Sequence, residues 1–433
     1  MVGKVLFASS LGTIMEYYDY YAYGIAAAVA LPALYFGPLG PALGVAVSLA
    51  TTFLGSIGRP IGGIIFGHLG DTRGRTSSLT LCLAVMGVAT LAIGVLPTYA
   101  EIGVIAPVLL VTFRIVQGIG HGGEWGGAMT WTRETVGKSR WAGLLTGGVV
   151  QGAPGWGTFL ANGITTLIIL TTGQAFFVVP WGSWRYIFYI GATLLAIAAV
   201  IRLKLLDSPL FLMLKSAGRT VRSPVSVAFK RHWRRIIMFS FMLGGTSFTY
   251  MASSYVLPYF ASKGFQVATA TLASSLAGIG TILASLCFGL LADFFGRKRI
   301  GIVGTLFGIS MVYPYWYCVA SLNPILVIAG TFLFTFAWQS VNGAYPAFFT
   351  ESFPTEVRQT GAGLSLQFNT VWNFVLATAI WTPIIAITGA AAAVPYLLLT
   401  GAMLCIISLI LWSLPSMKET KGKELAETPP EGS

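Results

Sequence analysis

Glu16, Asp19, Tyr20 and Tyr23 stand at i, i+3, i+4 and i+7, so a helix carries all four on one face. Arg114, Gln117, His121 and Glu124, at i, i+3, i+7 and i+10, do the same further along the chain. Arg59 is an isolated cation between apolar neighbours. All of these residues interrupt long apolar runs. A charge in hydrocarbon costs about 2.5–3.5 kcal/mol on insertion scales, so each is a candidate for function. Desolvation favours the protonated form of a carboxylate and a nearby arginine the ionised form. A carboxylate that moves between those environments binds and releases a proton as the protein changes shape. Asp19 is the first candidate for that role, with Arg114, Glu16 and Glu124 completing the proton-coupling set. The plainer alternative for Asp19 is a permanent ion pair with an arginine that only fixes packing. Buried pairs contribute little net stability, which argues for function. For Glu16 and Glu124, a structural pair with Arg59 competes with direct coupling. His121 reads as a packing or hydrogen-bonding histidine rather than a relay, despite a side chain suited to neutral pH.

The elements that must position these residues follow from composition. Of 433 residues, 55% are hydrophobic and 9% charged, with a mean hydropathy of +0.77. A soluble protein carries roughly 25% charged residues, so most of this surface faces lipid. Apolar segments run over 5–36, 43–69, 77–97, 103–132, 140–172, 185–203, 235–260, 266–292, 299–320, 323–350, 357–388 and 393–414. Each approaches or exceeds the roughly 20 residues a membrane helix needs. With the N-terminus in the cytoplasm, 22 of 26 Lys and Arg fall in cytoplasmic regions; Arg59, Arg114, Arg185 and Lys263 do not. That bias predicts a multi-pass protein of the cell membrane with both termini cytoplasmic. Asp19 and Arg114 then lie near mid-depth.

The net charge of +12 does not indicate nucleic acid, because the basic residues sit in short turns between apolar segments. The basic stretch 204–234 is a solvated linker or a surface for anionic lipid headgroups. Cys82, Cys287, Cys318 and Cys405 lie in apolar stretches without CxxC spacing, so neither disulfide nor metal is expected. No HExxH, nucleophile elbow or P-loop occurs, which argues against an enzyme, and no cofactor is expected. Lys4 leads directly into a long apolar run without a cleavage pattern, so the first helix reads as retained.

Gly67-His68-Leu69-Gly70-Asp71-Thr72-Arg73-Gly74-Arg75 recurs 222 positions later as Gly289-Leu290-Leu291-Ala292-Asp293-Phe294-Phe295-Gly296-Arg297. A charged turn repeated between apolar helices indicates two similar halves, an organisation typical of transporters.

The repeated turn resembles the loop-2/3 and loop-8/9 motif of the major facilitator superfamily. Gly12 to Tyr20, with Glu16, Tyr17, Tyr18 and Asp19, is similar to the first-helix GxxxEWYDF pattern of its metabolite:proton symporter family, with Tyr17 and Tyr20 in place of Trp and Phe. Arg59-Pro60-Ile61-Gly62-Gly63 and Gly122-Gly123-Glu124-Trp125-Gly126-Gly127 resemble its second and fourth helices. Trp184-Arg185, Asp207-Ser208-Pro209-Leu210-Phe211 and Lys418-Glu419-Thr420-Lys421-Gly422 resemble the sixth-helix start, the ESPxF element and the PETKG tail.

The resemblance implies an all-α membrane protein with the major facilitator fold: twelve transmembrane helices in two six-helix halves, 1–203 and 235–414, with a linker at 204–234 and a tail at 415–433. It puts helices one and four on a central cavity and implies proton-coupled symport of a small organic metabolite by alternating access. Arg114 and Arg59 would draw a carboxylate, with Tyr20, Tyr23, Gln117, Tyr250, Trp338 and Asn342 as further substrate contacts. Ser247, Ser254, Tyr345, Gln367, Asn369 and Asn373 extend the neutral polar set of the second half. Asp71, Arg75, Glu134, Arg140, Asp293, Arg297, Glu351 and Arg358 would form the cytoplasmic gate, with Glu134 facing Arg140. The expected partners are a small molecule, protons and membrane lipids around a monomer. A zwitterionic amino acid or betaine as substrate, or a proton-driven exporter on the same fold, are the alternatives.

Overall fold

Hydrocarbon offers peptide groups no hydrogen-bond partner, so a chain that crosses it satisfies them within helices. The computed structural model describes residues 2–173, 181–218, 221–244, 256, 259–260, 263–376, 380, 384, 387, 394–422 and 425, and no strand occurs among them. Twelve main helices follow one another in these residues. They are α1 (Val2–Val29), α2 (Pro41–Thr72), α3 (Arg75–Val95), α4 (Ile105–Val136), α5 (Gln151–Thr172) and α6 (Tyr186–Leu203), then α7 (Pro224–Met242), α8 (Val267–Phe295), α9 (Arg297–Ser310), α10 (Pro324–Gln339), α11 (Arg358–Val375) and α12 (Val394–Ser413). A wide π-type turn, Leu144–Val150, leads into α5. Beyond α9 and α10 the helical path continues through Val312–Ala320 and Tyr345–Glu351.

Eight of these stretches are both long and apolar enough to cross a bilayer. The first helix is more polar, because Glu16, Asp19 and five tyrosines interrupt it. The expected linker is not wholly irregular. Its last residues, from Pro224, form the first turns of α7, and Pro209–Ser216 is a short helix capped by the Ser208 hydroxyl.

In the first group α4 packs on α2 and α3, α6 on α3, and α5 on α1. In the second, α8 packs on α10, α7 on α11, and α9 on α12. The groups meet along α2–α11 and α5–α8. The α2–α4 contact is backbone against backbone. A Cβ on Gly62 would fall 1.9 Å from the Ile119 carbonyl oxygen, and one on Gly122 2.0 Å from that of Arg59. Glycine alone permits this approach, which lays the Arg59 turn of α2 against the His121 turn of α4.

Candidate functional site

The charged residues of α1, α2 and α4 meet in one buried chain. Arg59 Nη1 lies 3.4 Å from Glu16 Oε1, and its Nη2 donates to His121 Nδ1 at 3.2 Å. His121 Nε2 lies 3.2 Å from Asp19 Oδ2. The other Asp19 oxygen accepts the Thr90 hydroxyl at 2.7 Å, and Thr90 Oγ1 accepts Gln117 Nε2 at 2.9 Å. Gln117 Oε1 in turn accepts from Arg114. Arg114 also donates to the Thr52 carbonyl at 3.3 Å, and its guanidinium lies 4.1 Å from the Tyr23 ring centroid. Asp19 and Arg114 thus belong to one network but are joined through Thr90 and Gln117, not directly. Glu16 Oε2 has no hydrogen-bond partner among the described residues.

A cavity opens between the two groups of helices. Its wall takes Tyr17, Tyr20, Tyr21, Phe53, Ser56, Arg59, Gln151, Pro154 and Thr158 from the first group, and Thr281, Gln339, Asn342, Tyr345, Leu366, Asn369, Thr370 and Asn373 from the second. Arg59 is the single charged residue among them. Of the sequence-derived substrate contacts, Arg59, Tyr20 and Asn342 line this cavity. Arg114, Tyr23 and Gln117 lie behind it: Tyr23 bonds Thr51 at 2.6 Å, and Tyr20 stands between the cavity and Arg114. Trp338 packs beside Phe334 in an apolar cluster of the second group. Tyr250, with Ser247 and Ser254, lies outside the described residues.

The repeated turns form a second locus, on one face of the helix bundle. Asp71 accepts the N–H groups of Thr360 at 2.9 Å and Gln359 at 3.3 Å, at the start of α11. Asp293 accepts those of Gly143 at 2.7 Å and Leu144 at 2.8 Å, ahead of α5. Each aspartate therefore caps a helix of the opposite group while holding its own arginine, Arg75 or Arg297. Glu134 receives Arg75 and Arg358 at 3.0 Å each; Glu351 receives Arg133 at 2.9 Å, with Arg297 at 3.6 Å. Arg140 does not face Glu134, because Arg75 and Arg358 occupy that carboxylate; its guanidinium lies over Trp141.

Both turns are completed by a carboxylate from the linker or the tail. Asp207 accepts Arg75 N–H at 2.7 Å, and Glu419 accepts Arg297 N–H at 2.9 Å. Ser208 donates to Glu134 at 2.5 Å and Thr420 to Glu351 at 2.6 Å. Gly74 and Gly296 adopt φ of 127° and 100°, open mainly to glycine, and a Cβ on either would meet the capping carboxylate. Burial pushes the Asp207 carboxyl above its ordinary range. It opposes ionised Glu419 too, but there four backbone N–H groups prevail and hold the carboxyl below that range.

Sequence reasoning missed Arg202. It ends an apolar run and so resembles an ordinary flanking cation, but it is fully buried and grips both oxygens of Glu124 at 2.6 Å. The structure also accounts for Gly12, where a Cβ would fall 1.9 Å from Arg202 Nη2, but that neighbour is visible only in the folded chain. Trp125, beside Glu124, donates to Gln151 at 2.6 Å and stacks on Tyr345 of the other group, with centroids 5.6 Å apart. No cluster of His, Cys, Asp and Glu suited to a metal occurs among the described residues.

A sequence profile described as Major Facilitator Superfamily matches residues 9–379. The chain is 37% identical to the inner membrane metabolite transport protein YhjE of Escherichia coli, covering 84% of this chain and 83% of that protein. It is 33% identical to the shikimate transporter of Escherichia coli, covering 85% and 84%. Among solved structures, the proton:xylose symporter XylE bound to a bromodeoxyglucose superposes with a TM-score of 0.75 over 98% of both chains, at 19% identity.

Proposed function

The chain belongs to the Major Facilitator Superfamily, and from that premise we propose that this membrane transporter imports a small hydroxylated carboxylate together with a proton. The observation that carries this reading is the cavity wall: one guanidinium, Arg59, among tyrosine, serine, threonine, asparagine and glutamine side chains. A single fixed cation suits one carboxylate, and the neutral polar groups suit hydroxyls. The likeness to a shikimate transporter supports the same class. Asp19, off the cavity but connected to Arg59, carries the proton. The Asp71 and Asp293 clusters hold the two halves together on the face bearing the repeated turns, which the basic residues there assign to the cytoplasm. Alternating access then requires those clusters to part. The tyrosines favour a second substrate reading, a betaine, whose quaternary ammonium group would rest on their rings.

Transport in proteoliposomes tests the proposal. Asp19→Asn is expected to abolish uptake driven by an inward proton gradient while exchange of labelled for unlabelled substrate continues. Undiminished uphill uptake in that variant refutes Asp19 as the carrier. A thermal-shift screen against hydroxylated carboxylates, amino acids and betaines names the substrate, since a specific binder raises Tm by mass action. The direction of accumulation under the gradient separates importer from exporter.

A further inference from the structure

We propose that His121 is a substrate-controlled proton gate: a carboxylate that captures Arg59 frees the His121 ring to pass a proton to Asp19. This rests on the reading of Arg59 as the substrate-binding cation. A guanidinium only donates hydrogen bonds. The ring nitrogen that faces Arg59, Nδ1, must therefore accept, so the ring is neutral and carries its proton on Nε2. That N–H points at Asp19 Oδ2. With Arg59 in place, neither ring nitrogen is open to an incoming proton, and both Asp19 oxygens already accept hydrogen bonds.

The surroundings leave this arrangement poised to change. The charged groups around His121 are Asp19 and Glu16 on α1, Arg59 on α2, and Arg114 and Glu124 on its own helix; α3 contributes the neutral Thr90. Of these, Arg59 reaches the cavity wall, whereas Asp19 and His121 do not. The 3.4 Å separation from Glu16 is long for an ion pair, so Arg59 is held loosely enough for a second carboxylate to compete for it, and Glu16 Oε2 has no partner among the described residues.

When a substrate carboxylate takes the Arg59 N–H groups, Nδ1 loses its donor. A hydronium ion in the cavity then gives up a proton: its O–H bond breaks, leaving water, as an N–H bond forms at Nδ1. The N–H bond at Nε2 breaks, and an O–H bond forms on Asp19 Oδ2. The ring ends neutral in its other tautomer, one proton has entered, and no electron has moved. One negative charge and one positive charge arrive together, so the net buried charge is unchanged. Empty Arg59 keeps the entry closed, which prevents proton leak without substrate.

Histidine nitrogen NMR tests the gate directly. In protein carrying His68→Gln and His232→Gln, the remaining His121 signal is expected to show a neutral ring protonated at Nε2. Arg59→Met removes the donor without any substrate and is expected to abolish that preference; Arg59→Lys, which still donates, retains it. A ring protonated at Nδ1 in the parent protein, or unchanged by Arg59→Met, overturns the inference. Saturating shikimate is the substrate probe, expected to shift the tautomer as Arg59→Met does. If shikimate fails to bind while Arg59→Met still shifts the ring, the gate stands and the choice of substrate falls.

Transport provides the second readout. His121→Gln offers an acceptor to Arg59 and a donor to Asp19 but cannot relay a proton. For the parent protein, the shikimate KM is expected to rise with pH, up to about tenfold per unit for one coupled proton. In His121→Gln, that dependence is expected to vanish and uphill uptake to fall about tenfold or more, while exchange is retained. A parental pH profile with intact uphill uptake in His121→Gln overturns the gate.

Discussion

Arg202 and Glu124 form a buried ion pair that joins α6 to α4. Arg202 also donates to the Ala8 carbonyl at 3.1 Å, tying α6 to α1 as well as to α4. Its position at the end of an apolar run gave no hint of burial, because flanking cations usually turn toward water. Glu124→Gln leaves this guanidinium buried without a counter-charge, which costs roughly 3–5 kcal/mol. A clear fall in Tm is expected for Glu124→Gln, and a much smaller one when Glu124→Leu is combined with Arg202→Met. Equal melting of Glu124→Gln and parent would contradict a structural pair. The helical spacing of Glu16 and Asp19, and of Arg114, Gln117 and His121, already placed these side chains on common faces. Which of them touch was not legible: Asp19 meets His121 and Thr90, and Thr90 carries no charge or pattern that marks it in advance.

At the scale of elements, the RPxGG and GGEW motifs prove to be two sides of one contact. Gly62 and Gly122 let α2 and α4 touch, and that contact sets the distance between Arg59 and His121. Gly122→Ala overpacks the contact, for which roughly 1–3 kcal/mol is the usual cost. The variant is expected to retain its fold but lose coupled uptake more steeply than stability, read by comparing Tm with proteoliposome transport. Coupled uptake at the parental rate would mean the spacing is not critical. The glycine spacing was visible in the sequence, but the partner of each glycine was not, since helix crossings depend on residues far apart along the chain.

For the whole molecule, the two repeated turns build matching clusters, in which the aspartate of one half caps a helix of the other. Arg133 and Arg358 both cross between halves, to Glu351 and Glu134. Arg133→Ala with Arg358→Ala is expected to favour opening of that face, by roughly tenfold for each 1.4 kcal/mol of cross-half bonding lost. A cysteine introduced by Asn342→Cys then reacts faster with a thiol reagent applied from the turn-bearing side. Labelling at the parental rate would exclude these arginines as a latch. The sequence by itself determined a membrane-spanning helical chain, its two-fold repeat and several of its buried charges, though not Arg202, because hydropathy, charge bias and helical period are local properties. Tertiary structure alone decided which charges pair, that Arg59 and not Arg114 meets the cavity, and that Asp207 and Glu419 complete the two turns. Those outcomes depend on distances between segments tens to hundreds of residues apart, which no local pattern encodes.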